Sequence, residues 1–394
     1  MIDNAFNRGE LVHPLGDTPN SVDLFQAMAR IAGGGLPGDT GRTRSVEELV
    51  GHHDHYLFVL VDGLGLSLAP RFPDGGFLAS AENHELRSVF PSTTAVALTS
   101  LATGAWPADH GLTGWFTYFP EHRRVLAPLL FRERGTNVDA RELGLALPDI
   151  VGPTPMLGSF FRTVNSILPR EICAGAYATW SRGGTPITPY RSFAHAHRLL
   201  RRHYRRVAGP TYTYLYVLTV DKLSHEHGVA SDEVTEEVAR VDRLLARIRE
   251  TVPPSVRMIV TADHGLVDVP EERHFVVDDE DPLAHRLIAG QTGEGTSPVF
   301  HVRDGRVDDF RDAFSRHEAS RVFALYTPEE LAERGLYGPN PLSDAMRLHL
   351  GDLVGIATQP ALFEYVPAGR SPVPHIGVHG GLRPDEMRVP LLLA

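Results

Sequence analysis

Three short apolar runs in the chain each end on an aspartate. The run 56–61 leads into Asp62 and Gly63, the run 214–220 leads into Asp221, and Val256–Thr261 passes through Ala262 into Asp263. Continuous apolar runs of this length predict strands buried on both faces, as in a parallel sheet covered by helices. Ligands of open α/β sheets gather outside the carboxyl ends of the strands. Three aspartates discharged at that end therefore point to one shared site.

Between these runs the period changes. Residues 231–251 predict an amphipathic helix: Ser231 caps it, Asp232 and Glu233 fill its first turn, and Arg243, Arg247 and Arg249 stand toward its end. Val234, Val238, Val241, Leu245 and Ile248 recur at helical spacing and form the face that packs on the sheet. Residues 22–31, with Ser21 as cap, predict a shorter helix that the glycines of 33–38 break. Residues 85–90 predict a further strand, after which Pro91, Ser92 and Thr93 open a helix that Gly104 closes. Stretches 152–155 and 182–189 read as loops. Residues 191–207 read as a basic helix, and a solvated face is the common use of such a charge run. Residues 268–370 are less regular, with an acidic loop at 278–281, short strands at 297–302 and 353–358, and a helix over 307–317. A last strand closes the chain at 388–394. The expected organisation is an α/β core of 1–267 plus 371–394, with 268–370 as a smaller inserted cap.

Composition narrows the class. The 394 residues suffice for a large core, and 42% hydrophobic with 22% charged residues fits a soluble globular protein. A net charge of −11 argues against broad nucleic-acid binding, and no stable nucleic-acid complex is expected. The single cysteine, Cys173, excludes an intramolecular disulfide framework. The first fifteen residues carry charges and no apolar core of a leader, and no stretch approaches the ~18 apolar residues of a membrane span. The expectation is a cytoplasmic protein without a membrane partner; the oligomeric state is not legible.

The polar residues at the ends of the runs carry the chemistry. Asp62, Asp221, His225, Asp263, His264 and His379 are oxygen and nitrogen donors without a thiolate, a set that suits Zn²⁺, with Mn²⁺ as the alternative, in a catalytic role. Six donors from four segments exceed one zinc and suit two ions roughly 4 Å apart, the arrangement used for phosphoryl transfer. A lone strand-end aspartate is more often a turn residue; three, two of them followed closely by histidine, are not explained that way. The hydroxyls at 92–94 face free N–H groups at a helix start, where an alkoxide and a phosphate are both stabilised, although capping alone is the commoner use. Gly63-Leu-Gly65 has two of the three glycines of a dinucleotide fingerprint with Leu68 in the third place, and reads better as a tight turn beside a ligand. The aromatics Trp106, Trp115, Phe116, Tyr118 and Phe119 read as core before pocket.

Val61-Asp62-Gly63, Phe90-Pro-Ser-Thr-Thr94, Asp221-Lys-Leu-Ser-His225, Thr261-Ala-Asp263-His264-Gly265 and Val378-His379-Gly380 stand in the order of the type I phosphodiesterase/nucleotide pyrophosphatase branch of the alkaline phosphatase superfamily, which the chain resembles from about 55 to 381. The resemblance implies an alkaline-phosphatase-like α/β fold, with a mostly parallel central sheet flanked by helices and a smaller inserted cap. It implies one zinc on Asp221, His225 and His379, and a second on Asp62, Asp263 and His264. It implies Thr94, the third residue after the Phe-Pro pair, as the nucleophile bound to that second ion. The implied activity is hydrolysis of a small-molecule phosphate ester, a nucleotide among the candidates, through a phosphothreonine intermediate. Two places depart from the family pattern. Ala95-Val96-Ala97 stands where Phe-Pro-Asn is usual, and Trp115 stands at the counterpart of a phosphate-contacting asparagine. Both touch the substrate pocket rather than the metal donors. The alternatives carried are a phosphomonoesterase or phosphonate hydrolase on the same metals, and a metal-dependent binding protein without turnover.

Overall fold

In a computed structural model of the protein, residues 2–34 and 40–394 are described; part of the glycine-rich break expected after the first long helix lies outside them. Seven strands form the central sheet: β1 (His55–Val61), β2 (Glu82–Arg87), β3 (Thr163–Pro169), β4 (Ile187–Tyr190), β5 (Thr211–Val217), β6 (Val256–Thr261) and β7 (Arg388–Leu393). Their order is β2-β7-β6-β1-β5-β3-β4, and β7 alone runs against its neighbours. Central β1 and β5 are buried along almost their whole length, which is why their sequences are apolar without alternation. In register, Val61 lies beside Val217 and Leu60 beside Thr261, so β1, β5 and β6 end together and release their aspartates at one edge.

Helices cover both faces: α1 (Ser21–Ala32), α2 (Thr94–Thr103), α3 (Phe193–Tyr204), α4 (Thr219–His227) and α5 (Asp232–Thr251). Helix α5 starts at its Ser231 cap, which accepts from the Val234 N–H, and buries all five of its expected apolar residues. Each such side chain contributes about 1.5–3 kcal/mol through burial. Several boundaries differ from the sequence reading; β2, expected over 85–90, spans Glu82–Arg87. Helix α1 is capped by Asn20, in a reciprocal box with Asp23, while Ser21 bonds the Arg87 carbonyl instead. Strand β5 stops at Val217, because Leu218 leaves the extended region and the chain turns at once into α4. The β-branched Thr219 and Val220 imitate a continuing strand, so Asp221 is a first-turn helix residue rather than a strand terminus. Strand β4 takes in residues 187–189 of the stretch read as loop; Pro189 is tolerated there because β4 is the outermost strand.

Residues 274–366 build two further sheets. Strand His274–Val277 pairs with Leu362–Tyr365, and a four-stranded sheet runs in the order Thr292–Gly293, Pro298–Phe300, Leu353–Ala357, Phe323–Tyr326. The helix Val307–Arg316 packs on this layer through Phe310 and Phe314, which meet Phe300 and Phe363. This part therefore has an apolar cluster of its own. Among its contacts with the rest are the bridge from Phe116 to Gly293 and the packing of Val299, Val354 and Ile356 with Phe90 and Met387. A Cβ on Gly114 would lie 2.5 Å from the Gly293 carbonyl carbon, so only glycine permits that approach.

Candidate metal and phosphoryl site

The end of β1 sets the first carboxylate. The Asp62 N–H bonds the Val217 carbonyl at 2.8 Å, and the Asp62 carbonyl accepts the Asp221 N–H at 3.1 Å, so α4 starts against the end of β1. Gly63 has φ 72°, and a Cβ there would stand 2.8 Å from the Asp221 Cα. The tight turn read from its sequence thus serves to bring two aspartates together. On α4, Asp221 and His225 are one helical turn apart and face the same way, with His225 Nε2 3.3 Å from Asp221 Oδ1.

The six donors fall into two groups, Asp221–His225–His379 and Asp62–Asp263–His264; within each, one donor atom per residue lies within 4.8 Å of the others. His264 Nε2 is 3.5 Å from both Asp62 Oδ1 and Asp263 Oδ2, and its ring stacks on that of His379 with centroids 3.8 Å apart. The protein holds the outward atom of most donors. Tyr216 donates to Asp62 Oδ2, and the N–H groups of Gly63 and His264 donate to Asp263 Oδ1. His225 Nδ1 bonds the Gly377 carbonyl at 2.7 Å, which turns Nε2 inward. The remaining atoms, Asp62 Oδ1, Asp221 Oδ1 and Asp263 Oδ2, are buried without a hydrogen-bond partner, as is His379 Nδ1.

Orphaned buried carboxylate oxygens that converge on imidazoles fit cations. The electrostatics agree. Burial, then the Asp263 and Asp221 carboxylates, push Asp62 well above the usual carboxylate range. Burial also raises Asp221, against the pull of His225. His379 is driven well below its ordinary value by burial and by the facing His264 and His225 rings. A bound cation reverses the rise of both carboxylates and takes the neutral imidazole that burial already favours at His379. Such held outer atoms are the arrangement that fixes metal-ligand orientation.

Thr94 is the first residue of α2, after Thr93 at the N-cap and the Phe90-Pro91 cis bond. Its Oγ1 is 3.0 Å from His264 Nε2, so the hydroxyl sits at the Asp62 group and at the positive end of a helix. Together with Asp221, His225 and His379 it lines a cavity of about 410 Å³. Trp115 and Phe116 face that cavity, whereas Trp106, Tyr118 and Phe119 are core. The aromatic segment therefore divides between the two readings.

Among the wall residues that sequence reasoning missed are Arg134, Glu294 and Tyr365. Glu294 is buried, accepts the Trp115 N–H, and is pushed up to about 7 by burial. Its signal was a carboxylate between two glycines, Gly293 and Gly295, in a stretch read only as cap. The arginines of α3 lie elsewhere. The groove they line includes Thr163 and Gly209, at the amino ends of β3 and β5, opposite the donor groups.

A mostly parallel sheet with two carboxylate–imidazole groups and a helix-start hydroxyl at its carboxyl edge defines an alkaline-phosphatase-superfamily α/β protein. Within that class the chain belongs to the type I phosphodiesterase/nucleotide pyrophosphatase family, whose model matches residues 56–381. It is a metal-dependent family. Solved structures share the fold. Human ectonucleotide pyrophosphatase/phosphodiesterase 5 has 16% identity over 86% of this chain and 87% of that one, with a TM-score of 0.64. An inactive threonine-to-alanine variant of the murine protein, in complex with AMP, has 17% identity, coverage of 86% and 87%, and a TM-score of 0.63. Phosphonoacetate hydrolase from Sinorhizobium meliloti 1021, in complex with phosphonoformate, has 17% identity, coverage of 86% and 89%, and a TM-score of 0.60. No individual curated protein matches the sequence.

Proposed function

We propose that the protein is a di-zinc phosphodiesterase or nucleotide pyrophosphatase that uses Thr94 as nucleophile on a small-molecule phosphate ester. The observation that carries this reading is the set of unpartnered carboxylate oxygens beside the Thr94 hydroxyl. Asp62, Asp263 and His264 would hold one ion beside Thr94, and Asp221, His225 and His379 the other, with Mn²⁺ as the alternative metal. Bound there, two such ions would acidify the attacking oxygen and offset the charge of the leaving one.

The chain's own residues supply the rest. The start of α2 presents Thr94 Oγ1 to the cavity in a field that favours an anion. Oγ1 gives up its proton and bonds phosphorus as the bond to the leaving oxygen breaks and that oxygen takes a proton, giving a phosphothreonine that keeps the remaining ester of a diester; a water oxygen then bonds phosphorus, the Oγ1–phosphorus bond breaks, and the proton lost by the water returns to Oγ1. Asp62 and Asp263 stay oriented throughout because Tyr216, Gly63 and His264 hold their outer oxygens. The region 268–370 acts as a cap that closes the cavity over the donor groups.

A phosphomonoesterase or phosphonate hydrolase on the same donors is the second reading. It is favoured by Trp115 on the cavity wall and by a fold shared with a phosphonoacetate hydrolase. Initial rates on a nitrophenyl phosphate diester and its monoester, with zinc supplied, separate the two. A much faster diester is expected, a faster monoester selects the second reading, and absence of turnover on any phosphate ester or phosphonate overturns the enzyme reading.

A further inference from the structure

Arg134 is the one cationic side chain among the described residues that line the catalytic cavity, apart from its histidines. It follows the short hairpin strand Arg132–Glu133, and its backbone N–H is held by the Val125 carbonyl at 2.9 Å. The guanidinium lies between two aromatic faces, 4.8 Å from the Phe116 ring centre and 4.6 Å from that of Tyr365. Two of its five N–H groups are used: Nη1 donates to the Gln291 carbonyl and Nη2 to the Tyr365 carbonyl.

Neither partner carries charge. The acidic groups that act on Arg134 are occupied elsewhere: Glu364 accepts the Val373 N–H, and Asp279 accepts the Tyr365 hydroxyl and the Ala368 N–H. Burial lowers the arginine to about 10, so it remains a cation at neutral pH. Among the described residues the hydrogen bonds of this guanidinium go to carbonyls and none to a carboxylate, and a buried cation without a bonded anion is costly unless one completes it. The open side of this one is the cavity that also holds Thr94.

We propose that Arg134 is the receptor for a second anionic group of the substrate, a carboxylate or a further phosphate remote from the reacting phosphorus. This rests on the phosphoryl-site reading above and narrows it to substrates with two separated anionic heads. The fork is fixed in place before the substrate arrives, by two ring faces and two carbonyls. It therefore suits a planar carboxylate or a pair of phosphate oxygens better than a lysine would. The same fork also ties the 291 and 365 segments together, so the test must separate a receptor from a strap.

The experiment is calorimetric titration of the zinc-supplied protein with methylphosphonate, phosphonopropionate and propylenediphosphonate. In wild type the two bifunctional ligands should bind at least about tenfold tighter than methylphosphonate, as expected of a charge-assisted fork. In Arg134→Met that gap should vanish while methylphosphonate binds as before, and Arg134→Lys should restore part of it. A gap only for the carboxylate ligand, or only for the diphosphonate, identifies which anion is taken. Three results overturn the proposal: no gap in wild type, a gap that survives Arg134→Met, or an equal loss for all three ligands, which is the strap alone. If Arg134→Met does not fold, the wild-type gap and its size in Arg134→Lys decide, an undiminished gap in the Arg134→Lys variant counting against the fork. Failure of methylphosphonate to bind wild type overturns the phosphoryl-site reading, and this inference with it.

Discussion

The floor and the wall of the cavity are built in different ways. The floor is the two donor groups. Its residues come from the ends of β1 and β6, from α4 and from the segment at His379, and backbone groups of Gly63, His264 and Gly377 hold several of their outer atoms. The wall includes Trp115, Phe116, Arg134, Glu294 and Tyr365, which meet because residues 291–365 fold back onto the 115–134 stretch. The floor is set by strand ends, where register leaves little freedom. The wall is set by contacts between loops. The chemistry of the reaction and the choice of substrate should therefore be separable by mutation.

The strongest attempt to separate them is Thr94→Ala. Removing the nucleophile should lower kcat by about a thousandfold or more, while metal analysis still finds two zinc ions per chain. Retention of full activity would remove Thr94 from the mechanism and leave the donor groups standing. Next come the donors themselves. Asp263→Asn or His379→Ala should lower zinc content and activity together, by on the order of a hundredfold in activity. Unchanged zinc stoichiometry in both variants would sink the ligand assignment. Tyr216→Phe frees the outer oxygen of Asp62 without touching a donor. A loss of about 10–100-fold in zinc affinity is expected from chelator competition, and no loss would mean that Asp62 needs no orienting partner. The wall should respond least. Trp115→Asn should change the ratio of diester to monoester rates by about tenfold at constant zinc content. A drop in zinc content in that variant would break the distinction between floor and wall.

The floor was legible because its residues obey short-range rules. A strand buried on both faces must be apolar throughout, so β1 and β6 announce both themselves and the aspartates that follow them. Asp221 was found for a partly mistaken reason: the strand stops at Val217, and the carboxylate reaches the site on a helix whose i, i+4 spacing brings His225 with it. That error did not move the residue, because the turn at Leu218 keeps the helix start against the end of β1. Strand β4 was lost for the opposite reason. An edge strand needs no buried pattern and tolerates Pro189, so nothing in its four residues distinguishes it from a loop.

Arg134 and Glu294 show where sequence stops. Each is an ordinary charged residue in an irregular stretch, and neither neighbourhood has a period or a motif. Arg134 becomes a fixed cation only because Phe116 and Tyr365, 249 positions apart by the difference of their numbers, close on its two faces. Glu294 becomes a buried acid only because Gly114 lets its loop approach within van der Waals contact. By itself the sequence determined the central strands β1 and β6, the family and the candidate donors beside those strands, because apolar runs and the residues next to them act over a few positions. Only the tertiary structure decided which charges are buried in the wall and what faces them, because desolvation and ion pairing depend on neighbours that chain order does not bring together.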